Sequence, residues 1–233
     1  VNSIKDFYDS GNGDYLVESI NYPKEIQEYL KKEKALLCKI KECFNCLVEI
    51  GCMSGRYLNW CIEEDKGYLG IDVVHRYIEE GKCKILNCEL SPLKYQMVVG
   101  SAENICEIVQ ENKVSSSYKK ILLFFPFNSF GNMSNTQTII DSLHKTGLIF
   151  LICSYQTNLR VNNIRDDYYK NCEYKGIQRI VNRKGVRFIS KEGLNTIAYE
   201  PDYLCECSKK VGITLKMIKF SDIGMAYHNI DKL

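Results

Sequence analysis

The first chemical signal in the chain is the spacing of Glu49, Gly51 and Gly55 within LVEIGCMSGRYL, residues 47–58. An apolar run that breaks at a glycine and resumes with helical periodicity marks a strand-to-helix turn. In an open parallel sheet, ligands bind at the carboxyl ends of the strands, beside such turns. Gly51 lets the backbone turn sharply there, and Gly55 lets the next helix approach strand and ligand closely. Asp72 ends the run GYLGID, about 20 residues further on. A carboxylate so placed can accept hydrogen bonds from both hydroxyls of a ribose. Turn and acid together point to a nucleoside-containing ligand.

The letters exclude two common nucleotide loops. A dinucleotide fingerprint, G-x-G-x-x-G from Gly51, requires glycine where the chain has Met53 and Arg56. A pyrophosphate needs close approach of the backbone, and Met53 works against it. A phosphate-binding P-loop fails as well, because no Gly-Lys-Ser/Thr follows the turn. What survives is E-x-G-x-x-x-G.

Glu49, Ile50, Gly51, Cys52 and Gly55 resemble the first motif, E/D-x-G-C-G-x-G, of the class I S-adenosylmethionine-dependent methyltransferases, with Met53 as the departure. The resemblance continues in order over roughly residues 45–220. YLGIDVV is similar to the second motif, and GSAENI (100–105) to the family's GDAENL loop, with Ser101 in place of the commoner aspartate. FFPFNSFGNM (124–133) stands at the fourth motif, and EGLNTIAYEPDYLCECSKKVG resembles the closing strand–helix–strand. The resemblance implies S-adenosyl-L-methionine as cofactor. Its expected contacts are Glu49, Gly51, Cys52, Met53, Gly55 and Asp72 around the first two strands, Ser101, Ala102 and Glu103 about the adenine, and Phe125. The first 44 residues fall where such enzymes build a substrate lid.

Methyl transfer from a sulfonium is an in-line displacement, so the protein chiefly positions two reactants and excludes water. A base is needed only if the nucleophile must lose a proton early. Asn128, just past the fourth strand, is the candidate catalytic group, orienting a substrate nitrogen or oxygen through its amide. Phe125 and Phe127 are candidate walls of the methyl channel. Tyr155, after the fifth strand, and Tyr8 or Tyr15 in the lid are candidate substrate contacts. Arg56 reads equally well as a partner of the cofactor carboxylate or as a surface residue. Phe-Pro-Phe-Asn is not the N/D-P-P-Y/F of methyltransferases acting on amino groups of DNA or amides of protein, which weakens a polymeric acceptor. His144 suits a helix C-terminus, His75 reads as surface, and His228 near the C-terminus carries no argument.

Composition bounds these readings. The chain has 233 residues, 26% charged and 45% hydrophobic, with a formal net charge of +2. That balance makes no strong case for nucleic acid or an anionic membrane. The 12 cysteines sit in apolar or helical patterns and read as reduced thiols. Cys43 and Cys46 straddle a helix end and an inward strand, which leaves little room for zinc, and the three histidines share no ligand spacing, so no metal is expected. No secretory leader pattern and no apolar run of about 18 residues occurs, so a cytoplasmic protein is expected.

The elements that must position these residues follow from periodicity. Pro23 opens a long amphipathic helix through residue 43, with Ile26, Tyr29, Leu30, Leu36, Leu37 and Ile40 on its apolar face. Strands are expected at 46–51, 67–72, 95–100, 119–126 and 147–155. Helices are expected between them, over 56–64 and the segments VHRYIEEGK, AENICEIVQEN and NTQTIIDSLHKT. Short apolar runs alternating with helices predict parallel strands buried on both faces. After residue 155 the pattern changes. IQRIVNRKGVRFIS reads as a hairpin turning at Lys-Gly, EPDYLCECSKKVG as a helix, and ITLKMIKF and GMAYHNI as late strands. The expected fold is α/β, a Rossmann-like doubly wound and mostly parallel sheet with a C-terminal antiparallel hairpin. Residues 1–44 form a helical lid, and 45–233 the cofactor-binding domain. The leading expectation is methyl transfer to a nitrogen or oxygen of a small molecule. An RNA methyltransferase, for example of the cap guanine type, and a non-catalytic methyltransferase-like subunit stand as alternatives. Oligomeric state is left open.

Overall fold

The computed structural model describes residues 4–231 and 233. Five strands build the centre: β1 (Cys46–Ile50), β2 (Gly67–Asp72), β3 (Tyr95–Val99), β4 (Ile121–Phe125) and β5 (Ile149–Tyr155). All four neighbouring pairs among them are parallel, in spatial order 3-2-1-4-5. Three further strands, β6 (Gln178–Asn182), β7 (Gly185–Ile189) and β8 (Asn195–Tyr199), form a separate antiparallel sheet. The chain then returns to the main sheet as β9 (Lys216–Lys219) and β10 (Gly224–His228), with β10 antiparallel to β5 and to β9. The order reverses between β1 and β4, which is where an open α/β sheet offers a crevice for a ligand.

Alternation within the strands explains why both faces are covered. In β4, Leu122 and Phe124 face one apolar core while Ile121, Leu123 and Phe125 face the other. The first core receives α2 (Lys24–Lys39), α3 (Leu58–Glu63), α4 (His75–Asn87) and α8 (Leu159–Asn171). The second receives α5 (Ile105–Glu111), α6 (Val114–Ser117), α7 (Thr136–Thr146) and α9 (Pro201–Lys209). A short first helix, α1 (Ile4–Asp9), and two 3-10 turns lead into α2. Residues 1–3 of the expected lid lie outside the described residues. Ile26, Tyr29, Leu36 and Leu37 of α2 are buried in the same core as the sheet, so this helix is built into the main body.

The structure departs from the expectations at three places. The hairpin of 178–189 joins β8 in its own sheet, and the antiparallel edge of the main sheet is β9–β10. Its loop is Arg183–Lys184, with Asn182 paired to Gly185, because the Asn182 side-chain carbonyl accepts the Lys184 N–H at 2.8 Å. Helix α8 was not expected from the sequence. Its buried face carries Asn162 and Arg165 beside Val161, Tyr168 and Tyr169, so polar residues interrupt the apolar period. No helix among the described residues is long and apolar enough to cross a membrane. All 12 cysteines are free, and no cluster of three or more metal-ligating side chains occurs among the described residues.

Candidate functional site

At the end of β1 the backbone takes the left-handed region at every second residue: Gly51 at φ 74°, Met53 at φ 49° and Gly55 at φ 90°. Met53 thus adopts the conformation a glycine normally takes at this position of the motif. Gly51 is required by space as well, since a Cβ there would stand 2.8 Å from Cβ of Ser129. The Ser129 hydroxyl donates to the Ile50 carbonyl at 2.9 Å, tying the turn to the loop after β4. Asp72 completes the turn. Its Oδ2 accepts the Met53 N–H at 2.9 Å and its Oδ1 the Val74 N–H at 3.0 Å. Burial raises its pKa from the ordinary carboxyl value, while these backbone donors oppose the rise.

Beneath the turn lies a buried polar network. Glu49 is fully buried; its Oε2 accepts the Tyr57 N–H at 3.0 Å and the Tyr68 hydroxyl at 2.6 Å, and its Oε1 has no partner among the described residues. Burial pushes its pKa up to about 8. Glu33, from α2, accepts the Tyr57 hydroxyl at 2.8 Å and the Phe127 N–H at 2.7 Å, and burial raises its pKa too. Arg56 is half-buried rather than on the surface, and its guanidinium stacks over the Phe127 ring at 4.9 Å.

The loop after β3 is capped by Ser101, whose hydroxyl accepts the Glu103 N–H at 3.3 Å. Glu103 in turn accepts from the Asn135 amide at 2.7 Å, joining this loop to the start of α7. After β4, two consecutive non-glycine residues are left-handed, Phe127 at φ 45° and Asn128 at φ 58°. Strain of this kind persists only where surrounding contacts over-determine it. Here the Phe127 N–H is held by Glu33 and the Asn128 N–H by the Cys153 carbonyl at 3.0 Å. The Asn128 amide donates to Thr196 Oγ1 at 3.1 Å and to the Ile197 carbonyl at 3.2 Å, and accepts from Ser154 at 2.6 Å. The amide expected to orient a substrate ties the loop after β4 to β5 and β8.

These elements enclose a cavity of about 160 Å³. Gly51, Met53, Arg56 and Asp72 line one side, with Ser101, Ala102 and Glu103 beside them. Phe127, Asn128 and Tyr155 line the other, and the N-terminal segment contributes Tyr8, Leu16 and Val17. That segment is pinned down by Arg76, which donates to the Tyr8 carbonyl at 2.9 Å and pairs with Asp14 at 2.6 Å. Tyr168 also donates to the Leu16 carbonyl, and Asn132 to the Tyr8 hydroxyl at 2.9 Å.

Four of the expected cofactor contacts are not in the cavity wall. Glu49 and Cys52 are buried beneath it, and Gly55 packs against Leu58 on the helix side. Phe125 is fully buried and packs edge-on against Phe130 at 5.3 Å, because β4 alternation turns it into the second core. Tyr15 is exposed and outside the wall, since its turn presents Leu16 and Val17 inward instead. The sequence reading missed Glu33, Tyr168, Tyr169 and Thr196. Glu33 was signalled by a carboxylate on the apolar stripe of Ile26, Tyr29, Leu36 and Leu37. The others sit in α8 and β8, where no motif marks them.

No protein-family model matches the chain. A tRNA (guanine-N(7)-)-methyltransferase of Prochlorococcus marinus (strain AS9601) is 30% identical over 84 residues, 35% of this chain and 39% of that protein. The chain thus aligns with well under half the length of that relative. Solved structures match over nearly all of both chains. Magnesium protoporphyrin IX methyltransferase from Synechocystis PCC 6803, solved with bound SAH, has a TM-score of 0.61 at 7% identity, covering 97% of this chain and 96% of that one. A SAM-dependent methyltransferase from Aquifex aeolicus has a TM-score of 0.54 at 13% identity, covering 94% and 96%. CalS10, an amino pentose methyltransferase from Micromonospora echinaspora solved with SAM, has a TM-score of 0.54 at 6% identity, covering 87% and 92%. The chain has the fold of the S-adenosylmethionine-dependent methyltransferases.

Proposed function

We propose that the chain is an S-adenosylmethionine-dependent methyltransferase acting on a small-molecule acceptor. The observation that carries this reading is the left-handed turn Gly51–Met53–Gly55 hydrogen-bonded to Asp72 at the mouth of a cavity roofed by the protein's own N-terminal segment. The residues present fit the cofactor. Each Asp72 oxygen accepts one backbone N–H and keeps lone-pair capacity for a ribose hydroxyl. Ile71, Ala102, Met133 and Ile139 give an apolar wall suited to an adenine ring, and Arg56 offers a cation for the amino-acid carboxylate.

When bound, the cofactor supplies a methyl group on a cationic sulfur that an incoming nucleophile can displace. The chain's own residues position and exclude water. Tyr8, Leu16 and Val17 line the cavity from the N-terminal segment, and Phe127, held through its backbone N–H by Glu33, lines it from the loop after β4. Asn128 is a positioning residue that holds this loop. Calorimetric titration with S-adenosylmethionine and with its demethylated product S-adenosylhomocysteine (SAH) tests the reading. Binding in the micromolar range is expected, and no heat up to millimolar ligand overturns it.

A second reading, methyl transfer to RNA, is favoured by the 84-residue match to the tRNA (guanine-N(7)-)-methyltransferase. It requires binding of a tRNA transcript that weakens steeply with salt. Salt-independent turnover of a small acceptor with no RNA effect supports the first reading. SAH binding with no turnover on any acceptor would assign the chain a non-catalytic role.

A further inference from the structure

Arg165, on α8, is fully buried, yet among the described residues it has no carboxylate partner. Its Nη1 donates to the Val186 carbonyl at 3.1 Å and its Nε to the Tyr169 hydroxyl at 3.4 Å, while Nη2 is buried with no partner among the described residues. The guanidinium lies 5.1 Å from the Tyr155 ring, 5.9 Å from Tyr169 and 4.6 Å from Phe188. A buried charge without a counter-charge is costly unless something supplies one.

Tyr155 and Tyr169 line the cavity, and Arg165, outside its wall, packs against both rings. The Tyr155 hydroxyl has no hydrogen-bond partner among the described residues, and Tyr169 uses its oxygen to accept from Arg165, leaving its proton free. Both residues thus line the cavity while carrying a hydroxyl proton that no described residue accepts, and the neighbouring cation polarises both. An aromatic wall ordinarily suits a cationic ligand. Here a protein cation already occupies those rings, so a second cation is repelled. The lining carboxylates, Asp72 and Glu103, belong to the β2–β3 side. Tyr155 ends β5, three strand positions from Asp72 or roughly 14 Å at ordinary strand spacing.

We infer that Tyr155 and Tyr169, backed by Arg165, form an anion-recognising subsite, and that the acceptor is a small molecule bearing an anionic oxygen, a carboxylate or a phenolate. The inference rests on the proposed methyl-transfer reading for the word acceptor, but the charge preference stands on the cavity alone. Arg165 is a positioning residue that acts through the two phenols.

The test titrates benzoate, benzamide and benzylammonium into the protein by calorimetry, with and without SAH. Benzoate should bind at least about tenfold more tightly than either of the others. Arg165→Gln should bring the benzoate-to-benzamide ratio close to one with SAH affinity unchanged. If that variant does not fold, the double variant Tyr155→Phe, Tyr169→Phe serves, and should weaken benzoate by a larger factor than benzamide. Benzylammonium binding as tightly as benzoate, or no benzoate binding at millimolar concentration, overturns the inference. Failure of SAH to bind counts against methyl transfer instead, since charge preference is read without it.

Discussion

The backbone N–H of Met53 donates to the Asp72 carboxylate at 2.9 Å, with Met53 held at φ 49°. The residue that departs from the glycine motif is thus the one that grips the acid of the next strand. A left-handed backbone costs a side-chain-bearing residue about 1 kcal/mol, and more if branched at Cβ. Met53→Gly should therefore leave stability unchanged or raise it by up to about 1 kcal/mol, some 2–4 °C in Tm for a chain of this size. Met53→Val should lower it. Urea unfolding of the three proteins checks the order, and a Gly variant less stable than the Val variant refutes the strain argument.

Asp72 holds two backbone N–H groups and also lies in the cavity wall, so the proposed ribose contact can be separated from its part in the turn. Asp72→Ala should weaken S-adenosylmethionine binding by about tenfold or more, in line with loss of charge-assisted hydrogen bonds. It should also lower Tm, because Met53 and Val74 lose their acceptor. Calorimetry and thermal melts read the two separately; unchanged affinity in a destabilised variant assigns Asp72 to the turn alone.

The turn, the acid and the five parallel strands were legible because each is written locally. Glycines spaced as at 51 and 55 suit a tight strand-to-helix turn, and short apolar runs between helices suit strands covered on both faces. The boundaries of these strands moved by at most two residues, as at the third strand, which ends at Val99 rather than 100. The site was less legible where tertiary packing decides a role. Phe125 and Phe127 both follow the motif, yet strand alternation buries the first and a left-handed turn turns the second into the cavity. The partners of the Asn128 amide, Ser154, Thr196 and Ile197, come from two strands distant in sequence, so its place just past the fourth strand suggests only a substrate contact. Arg165 lay in a helix whose polar buried face hid its periodicity.

Glu49 should leave a pH signature on stability. Its carboxyl is pushed from the ordinary 4.5 up to about 8 in the folded protein, chiefly by burial. Between those values the folded chain holds a proton that the unfolded chain has lost, so unfolding releases it. Stability should therefore fall as pH rises through this window and level off above it. The raised pKa of Glu33 acts in the same direction. Glu49→Gln removes one titration, and its unfolding free energy should show a shallower slope between about pH 5 and pH 8. An identical slope in variant and parent means Glu49 stays ionised throughout.

Asn128 offers a sharper separation of structural from chemical roles. Its amide has two donors and one acceptor engaged, and its backbone is left-handed, a conformation asparagine tolerates better than most residues. Alanine there leaves the Ser154 hydroxyl and the Thr196 and Ile197 oxygens without their partner and adds backbone strain. The expected cost is about 2–4 kcal/mol, or roughly 5–15 °C in Tm. Asn128→Asp should also destabilise, because it keeps the acceptor for Ser154 but sets a carboxylate against the Ile197 carbonyl. A group that merely contacts substrate would behave otherwise: its loss would spare Tm and lower turnover. Scanning calorimetry of the two variants therefore decides the matter before any acceptor is known, since a parental Tm in Asn128→Ala would return the amide to the substrate.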